Sequence, residues 1–226
     1  MKPYRQSGFQ NSGEKISSRF AEADRLEAGG FNPLGGKSTG TKNAAGAHAR
    51  APVEMAENGL HIQDWIYEGN VSFPRLLRTA ATNDKGLIVL VEQRGCHYCA
   101  ELHEVNFAKL EVTEYMRENF MIVQVDLRGS KQVVDFDGKR MKERDLAGKW
   151  GVRGTPTTLV FQKNDQRVAN NREAETFRLP GYMKPFYYRS AFKFLVTDAF
   201  KAQSFQDFIA TETTALEAEG GNPETW

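Results

Sequence analysis

The sequence predicts an α/β fold in which helices flank a central mixed sheet. Three apolar runs have the length of buried strands: LIVLVEQ (residues 87–93), FMIVQVDL (120–127) and TTLVFQ (157–162). Segments with the character of helices lie between them. Because strands alternate with helices along the chain, the pattern indicates a layered α/β architecture.

The N-terminal quarter is expected to be a disordered, flexible extension. Residues 28–51 are rich in glycine and cannot bury enough apolar area to offset the entropy of ordering. Four apolar residues before this linker recur at helical spacing and stop at a Gly-Gly pair, which predicts a short amphipathic helix: Ile16, Phe20, Ala23 and Leu26. That helix either has no function or docks on a partner.

The first part of the folded region is expected to hold a strand and two helices. Residues 61–69 are compatible with a short strand. SFPRLLRTAATNDKG is typical of a helix, with Ser72 as N-cap and Pro74 in its first turn. Residues 97–118 are expected to be helical, with a break or kink near residues 110–115.

The second part is expected to continue the alternation. KQVVDFDGKRM (residues 131–141) combines apolar alternation with an Asp-Gly pair, which predicts a β-hairpin. A short helix over residues 143–152 would carry Trp150 inward. ETFRLPGY (residues 175–182) would form a further strand, reached through a polar turn at residues 163–166.

Phenylalanine-rich helical segments are expected at the end of the domain, and Ser204 and Asp207 have the spacing of a capping box between them. The last 16 residues carry four glutamates and no base, which suggests a frayed tail. The expected organisation is an extension over residues 1–54, an α/β domain over 55–210 and an acidic tail over 211–226.

Charge and hydropathy exclude two kinds of partner. The chain has 30 lysines and arginines against 29 acids, so no long-range field attracts nucleic acid or an anionic membrane. No apolar run reaches the roughly 20 residues needed to span a bilayer. We therefore expect no nucleic-acid partner and no stable membrane insertion.

The two cysteines of the chain, Cys96 and Cys99, stand where a buried strand meets a helix. The first sulfur would lie at the helix N-terminus, where unpaired N–H groups and the helix dipole stabilise a thiolate. Cys96 is therefore expected to be the exposed nucleophile, and Cys99 the resolving thiol that attacks a mixed disulfide. His97 can lower the pKa of Cys96 further, and Tyr98 supplies bulk for a substrate contact.

Three other roles for the cysteines are weighed against a redox centre. A metal site would need more ligands, although His103 lies four residues after Cys99 and makes a Cys-Cys-His set conceivable. A structural disulfide of this short span would constrain little of the unfolded chain. Two unreactive thiols are unexpected at a helix start beside His97. The redox interpretation is favoured, and no metal is expected.

Pro156 lies at the entrance of an apolar strand in VRGTPTTLVF. Proline cannot donate to a strand ladder there, so it is expected at a turn or edge, with a cis peptide after Thr155. The Gly-Thr-Pro-Thr motif alone is weak evidence. It becomes strong when it follows a Cys-x-x-Cys motif by 60 residues with a strand and a helix between them.

These motifs resemble those of the thioredoxin superfamily. The resemblance lies in CHYC after LIVLVEQRG, followed by VRGTPTTLVF and then LPGY. Within it, CHYCAELHEVNF, DFDGKRM and ERDLAGKWGVRGTPT look most like the SoxW-like thioredoxin-related proteins of bacterial sulfur-oxidation clusters. The resemblance covers roughly residues 62–210. It implies a thioredoxin fold with the cis-proline facing the cysteines, and an exported thiol–disulfide oxidoreductase without a bound cofactor. It also implies that the backbone of Thr155 contacts the substrate.

The motif departs from ordinary thioredoxins in two ways. Gly95 replaces the tryptophan before the first cysteine, and the inner pair is His-Tyr, nearer to the bacterial disulfide-isomerase pattern. Leu90 stands where thioredoxins carry a buried aspartate that takes the proton of the resolving thiol. Glu92 is the nearest upstream acid, on the same face of the strand as Leu90. It is a possible proton relay through water, but a solvated side chain without a role is favoured.

The direction of electron transfer is left open by these features. A lower pKa of Cys96 stabilises the reduced form and makes the disulfide a stronger oxidant, and His97 and the missing central proline both act in that direction. The resemblance instead suggests reduction of disulfides or sulfur adducts on partner proteins, which we favour. The alternatives are a disulfide oxidase or isomerase, and a redox-inactive thioredoxin-like binding module.

The resemblance implies a periplasmic or otherwise exported protein, with protein thiols and disulfides as substrates and an unidentified upstream electron donor. MKPYRQSGFQNSGEK lacks the apolar core of a secretory signal, so a signal would be missing from this chain or lie upstream; the alternative is a cytoplasmic protein. The first 50 residues are too rich in glycine for an isomerase-type dimerisation domain. A monomer is therefore expected.

Overall fold

The computed structural model describes residues 53–161 and 168–226. The predicted amphipathic helix over residues 16–26, the glycine-rich linker and the polar turn at residues 163–166 lie outside the described residues. The elements in chain order are α1 (Phe73–Thr82), β1 (Gly86–Glu92), α2 (His97–Glu101), a π-helical turn (Leu102–Asn106), α3 (Leu110–Asn119), β2 (Phe120–Asp126), β3 (Gln132–Val134), β4 (Arg140–Lys142), α4 (Glu143–Lys149), β5 (Thr157–Phe161), α5 (Asn171–Ala174), β6 (Glu175–Pro180), α6 (Pro185–Val196), a 3-10 turn (Ala199–Lys201) and α7 (Phe205–Ala218).

A four-stranded mixed sheet, in the order β2-β1-β5-β6, forms the centre of the domain. Strand β1 runs parallel to β2, with Gly86 opposite Phe120 and Glu92 opposite Asp126. It pairs with β5 in the antiparallel sense, and β5 pairs with β6 likewise. Strands β3 and β4 form a separate antiparallel hairpin. The predicted α/β fold with a mixed sheet flanked by helices is confirmed.

The central strand β1 separates two hydrophobic cores, which explains why its apolar run is continuous. All seven of its residues are buried. Successive side chains point to opposite faces of a sheet, so Leu87, Val89 and Val91 belong to one cluster and Ile88 and Leu90 to the other. The sequence shows no hydrophobic alternation here because neither face of the strand meets water.

The two faces are covered by different elements. Leu87, Val89 and Val91 face the cluster that includes Phe73 of α1, Val133 of β3, Leu146 of α4 and Trp150. Ile88 and Leu90 face the cluster that includes Leu102 of the π-helical turn, Met116 of α3 and Phe192 of α6. The cysteine-bearing helix therefore approaches the sheet from the second face.

The predicted short strand at residues 61–69 is wrong. Only isolated bridges form there: His61 pairs with Met55, and Tyr67 with Val123 beside the outer edge of β2. The predicted hairpin and the start of α1 are confirmed, although Ser72 makes no side-chain hydrogen bond as its N-cap. The predicted break in the helix after the cysteines falls just before α3, at residues 107–109.

The C-terminal residues are not a frayed tail. Helix α7 runs through Ala218 and is capped at its start by Ser204, whose hydroxyl accepts a hydrogen bond from the Asp207 N–H at 3.2 Å. Beyond it, Glu224 accepts hydrogen bonds from Lys184 and Tyr187 at 2.7 Å each. An acidic composition predicted disorder, but contacts with α6 hold this segment.

Within the part of the chain that the structure describes, no helix is long and apolar enough to cross a membrane.

Candidate redox site

Cys96 and Cys99 are joined by a disulfide, with their Cα atoms 5.2 Å apart. Cys96 is the N-cap residue of α2 and is partly exposed, whereas Cys99 is one turn inside the helix and only 1% exposed. The predicted assignment of an outer and an inner cysteine agrees with this difference in exposure.

The chain reaches this position through a sharp turn after β1. Gly95 adopts φ +72°, a left-handed conformation that side chains disfavour. The N–H of Cys96 then donates to the carbonyl of Gln93 at 3.3 Å. The turn therefore brings Cys96 to the start of α2 directly from the end of the buried strand.

The environment of the Cys96 sulfur suits a thiolate. Its Sγ accepts a hydrogen bond from the backbone N–H of Cys99 at 3.1 Å. This N–H of the first helical turn also donates to the Cys96 carbonyl at 3.1 Å, and hydrogen bonding to a charged group favours its ionised form. On reduction, the same donor would stabilise the negative charge on Cys96.

His97 is directed toward solvent and an acid of its own helix. Its side chain is 78% exposed, and its Nε2 lies 3.4 Å from a carboxylate oxygen of Glu101. The predicted influence of His97 on Cys96 therefore competes with a contact to Glu101, one turn further along α2.

Tyr98 forms an exposed aromatic pair beside the cysteines. Its ring stacks on Tyr182 with centroids 6.1 Å apart, and it is 55% exposed. Tyr182 lies two residues after the end of β6. The backbone N–H of Gly181, between them, donates to the carbonyl of Pro156 at 2.8 Å. The pair therefore connects the cysteine helix with the loop that carries Pro156.

The Thr155–Pro156 peptide bond is cis. Pro156 is buried at the entrance of β5, and Thr155 before it is half-buried. The hydroxyl of Thr157 donates to the carbonyl of Gly154 at 2.7 Å, which closes the turn before the strand.

Glu92 is completely buried, so the favoured prediction of a solvated side chain is wrong. Both of its carboxylate oxygens lie 3.1 Å from Nε2 of His103, and one also accepts a hydrogen bond from the Gln124 amide. A buried carboxylate requires such donors because burial in an apolar environment disfavours its charge. Strand alternation correctly put Glu92 on the face of Leu90; burial by the helix that follows the cysteines was missed.

His103, considered above as a third metal ligand, instead pairs with Glu92. Its Nδ1 lies 3.3 Å from the Gln63 amide nitrogen, and its ring stacks on His61 with centroids 4.9 Å apart. Burial is the main factor that lowers the pKa of His61, and proximity to His103 lowers it further. Among the described residues, no group of three or more His, Cys, Asp and Glu side chains has the arrangement of a metal site.

Sequence reasoning missed the polar cluster around Glu92 and the partner of Tyr98. One signal was present: Gln124 interrupts the otherwise apolar strand FMIVQVD and stands opposite Leu90, two residues from Glu92. A polar residue on an inward-facing position of a buried strand indicates a polar partner nearby. No comparable signal marked Tyr182.

The fold and the cysteine pair define a thioredoxin-fold protein with a dithiol–disulfide centre. The family model of the thioredoxin-like domain matches residues 73–195, more than half of the chain, and the chain belongs to this family. This family and the Cys96–Cys99 pair support thiol–disulfide oxidoreductase as the general class of activity, with protein thiols as substrates.

Several solved structures are similar in fold. A thioredoxin-fold protein from Helicobacter pylori is 21% identical, with a TM-score of 0.47, over 59% of this chain and 87% of its own. A thioredoxin from Thermus thermophilus is 17% identical, with a TM-score of 0.42, over 57% and 88%. The C-terminal domain of DsbD from Neisseria meningitidis, in its oxidised form, is 16% identical, with a TM-score of 0.38, over 55% and 97%. No curated protein matches the chain.

Proposed function

We propose that this protein reduces disulfides or sulfur adducts on partner proteins through the Cys96–Cys99 dithiol. The observation that carries the proposal is the asymmetry of the pair: the partly exposed Cys96 sulfur receives a backbone N–H, while Cys99 is buried one turn behind it. An exposed thiolate can attack a partner, and a buried thiol next to it can only attack the resulting mixed disulfide.

The reaction proceeds in two steps that conserve atoms and electrons. The Cys96 thiolate attacks a partner disulfide, forms a mixed disulfide and releases one partner thiolate. Cys99 loses its proton and attacks the Cys96 sulfur, which closes the internal disulfide and releases the second partner thiolate. Two electrons pass from the dithiol to the partner, and a separate donor must then reduce Cys96–Cys99 again.

Glu92 is proposed as the acceptor of the Cys99 proton. It lies four residues before Cys96, at the end of β1, and its carboxylate is buried beside the helix that carries Cys99. A buried carboxylate within reach of a thiol can act as a general base. In this scheme the backbone of Thr155, before Pro156, contacts the partner chain.

The direction of electron flow rests on the resemblance to SoxW-like proteins, which favours a reductase acting on exported partners. The same resemblance supports a periplasmic or otherwise exported location. We also propose a monomer, because the first 50 residues are too rich in glycine for an isomerase-type dimerisation domain, with residues 55–210 as the catalytic domain and the segment beyond them held against α6. Sequence chemistry argues the other way, because His97 and the absence of a central proline favour an oxidising disulfide. A disulfide oxidase or isomerase is therefore the alternative.

The equilibrium reduction potential of the Cys96–Cys99 pair tests the proposal. The fraction of disulfide is measured by alkylation and mass spectrometry after equilibration in defined thiol–disulfide buffers. A value near the roughly −270 mV of thioredoxin supports a reductase. A value well above about −200 mV overturns that direction in favour of an oxidase or isomerase.

A further inference from the structure

We propose that His103 is a positioning residue that holds Glu92 in its ionised form, ready to accept the proton of Cys99, and that Gln63 holds His103 in the required tautomer. The inference rests on the proposed function and adds residues to its proton-transfer step. It assigns a role to a buried histidine that the two-step reaction above does not use.

The contacts around Glu92 are those of an ionised carboxylate. His103 Nε2 lies 3.1 Å from both oxygens, and the Gln124 amide donates to one of them. The Glu92 and His103 side chains are both 0% exposed, so bulk water does not compete for either contact. Because hydrogen bonds to the charged form favour ionisation, the two donors oppose the effect of burial.

Gln63 determines which nitrogen of His103 carries the proton. Its amide nitrogen lies 3.3 Å from Nδ1 of His103, so Nδ1 accepts a hydrogen bond and the ring proton lies on Nε2. In this tautomer Nε2 of His103 donates to Glu92, so Gln63 keeps the donor directed at the carboxylate.

Helical spacing connects the pair with the resolving thiol. His103 lies four residues after Cys99, and the backbone between them stays helical, with φ −58° at both Glu101 and Leu102. Residues four apart share one face of a helix, with Cβ atoms about 5–6 Å from each other. His103 and Cys99 therefore project to the same side, toward the end of β1 that carries Glu92.

A polar wall separates the pair from solvent. Gln63, Gln124 and His61 line a cleft of about 280 Å³. The proton accepted by Glu92 can leave toward this cleft, since the opposite side of the pair is closed by the ring of Phe107, 5.1 Å from that of His103. The partner thiolates released in the reaction take their protons from solvent.

Four other titratable groups surround the pair. Burial lowers the pKa of His61, so its ring is neutral at pH 7. Burial also raises the pKa of Tyr188 on α6, whose phenol stays protonated. Asp126 stands opposite Glu92 on β2, and Glu104 follows His103 on the π-helical turn. Tyr188 therefore supplies no base, and the lowered pKa makes His61 a weaker base than an ordinary histidine.

The test is a single-turnover reaction of the reduced protein with dithionitrobenzoate, a disulfide that releases a coloured thiolate in each step. The first phase reports attack by Cys96 and the second reports attack by Cys99. In His103→Leu, which cannot donate to Glu92, burial favours the neutral carboxyl and the second phase should slow about 10-fold at pH 7. The rate of the first phase should change by less than about 2-fold, because attack by Cys96 does not use Glu92 as a base.

The pH profile separates this role from packing alone. The second phase of His103→Leu should recover above about pH 9, where the thiol of Cys99 ionises without a base. His103→Gln keeps a donor toward Glu92 and should stay within about 3-fold of the wild type. If the two variants slow equally, or if His103→Leu keeps the wild-type profile, the inference is wrong.

Two further variants keep the test decisive if His103→Leu folds poorly. Gln63→Leu lies in a loop, removes only the contact with Nδ1 and should slow the second phase about 3-fold at pH 7. An unchanged second phase in Gln63→Leu would contradict the inference. The matched control is Asp135→Asn, a carboxylate 1% exposed beside β3, which should leave both phases unchanged.

The same traces show which proposal fails. If the reduced wild-type protein does not consume dithionitrobenzoate, or never forms the Cys96–Cys99 disulfide, the proposed function itself is wrong. If both phases occur and only the effect of His103 is missing, the proposed function stands and the inference alone fails.

Discussion

The ring of Tyr98 lies nearly parallel to that of Tyr182, with 13° between their planes and 6.1 Å between their centroids. One residue belongs to the helix of the cysteines and the other to the segment after β6. Their stack forms an exposed aromatic surface beside the partly exposed sulfur of Cys96.

Removal of the Tyr98 ring should weaken reduction of protein disulfides more than that of small ones. An exposed aromatic contact contributes about 1 kcal/mol, so Tyr98→Ala should lower kcat/KM for a protein substrate such as insulin about 5-fold. Tyr98→Phe keeps the stack and serves as the control. Reduction of glutathione disulfide, which is too small to cover the ring, should change little. An equal loss with both substrates would instead indicate damage to the cysteine helix.

Substitution of the two cysteines should separate an enzyme from a binding module. Cys96→Ser should reduce disulfide reduction below detection, because the exposed nucleophile is lost. Cys99→Ser should accumulate mixed disulfides with partner proteins, which non-reducing electrophoresis and mass spectrometry would detect. If Cys99→Ser traps no partner while both variants still bind partners as the wild type does, the protein is a redox-inactive binding module.

Lys149→Met should destabilise the domain by roughly 2 kcal/mol at pH 7. Lys149 is the cation beside the buried Asp135, whose carboxylate also accepts from Trp150 Nε1 at 3.0 Å. Removing one partner of a fully buried ion pair lowers stability by more than this. Here solvent screens the interaction, because the Lys149 side chain is 37% exposed. Lys139→Met, at a side chain 75% exposed, is the control and should change stability by less than about 0.5 kcal/mol.

The difference in the free energy of unfolding between the wild type and Lys149→Met should depend on pH in both the acidic and the alkaline range. Hydrogen bonds from Lys149 lower the pKa of Asp137, and those to Asp135 and Asp137 raise the pKa of Lys149. The contribution of Asp137 is present above about pH 4 and is lost as the pH falls through its folded-state pKa. That of Lys149 is present below about pH 10 and is lost as the pH rises through its folded-state pKa. Urea unfolding across this pH range would measure the free energy of unfolding of both proteins. A difference between them that does not change with pH would show that the ion pairs contribute nothing.

Glu143→Gln should stabilise the protein at pH 7 by about 1 kcal/mol, the scale of an imperfectly compensated buried polar group. Burial raises the pKa of Glu143, so the folded state binds its proton more tightly and stability falls as the pH rises past the ordinary value. The amide oxygen of the variant can still accept from the Asp126 N–H, 3.3 Å away in the wild type. The gain should vanish below about pH 4, where the glutamate is protonated in both states. Glu57→Gln, at an exposed position, should show no gain in the same thermal or urea unfolding experiment.

The sequence was sufficient for the sheet and for the position of the cysteines because both depend on local patterns. Strands β1, β2 and β5 follow from their apolar runs, and α2 follows from the motif at its start. The failures depend on contacts far apart in sequence. Residues 61–69 lie along the edge of β2 without regular pairing, and the C-terminal segment is held by side chains of α6.

The misjudgement of Glu92 has the same cause. Exposure of a strand end is decided by what packs on it, and here that is His103, eleven residues further along, together with Gln124 of the neighbouring strand. Alternation identified the correct face but carried no information about the helix that covers it. Predicting that Gln124 lies next to Glu92 would have required knowledge of the register between β1 and β2.

The π-helical turn Leu102–Asn106 is closed by the bond from the Phe107 N–H to the Leu102 carbonyl, at 3.0 Å. Such a turn holds one residue more than an α-helical turn. Deleting Val105 would allow a regular α-helix, yet it would rotate Asn106 away from the Met183 carbonyl, to which its amide donates at 2.9 Å. Homologous chains with one residue fewer in this segment would therefore share the fold while differing in how the cysteine helix is joined to the segment between β6 and α6. Length variation at this single turn is a marker for dividing relatives into subgroups.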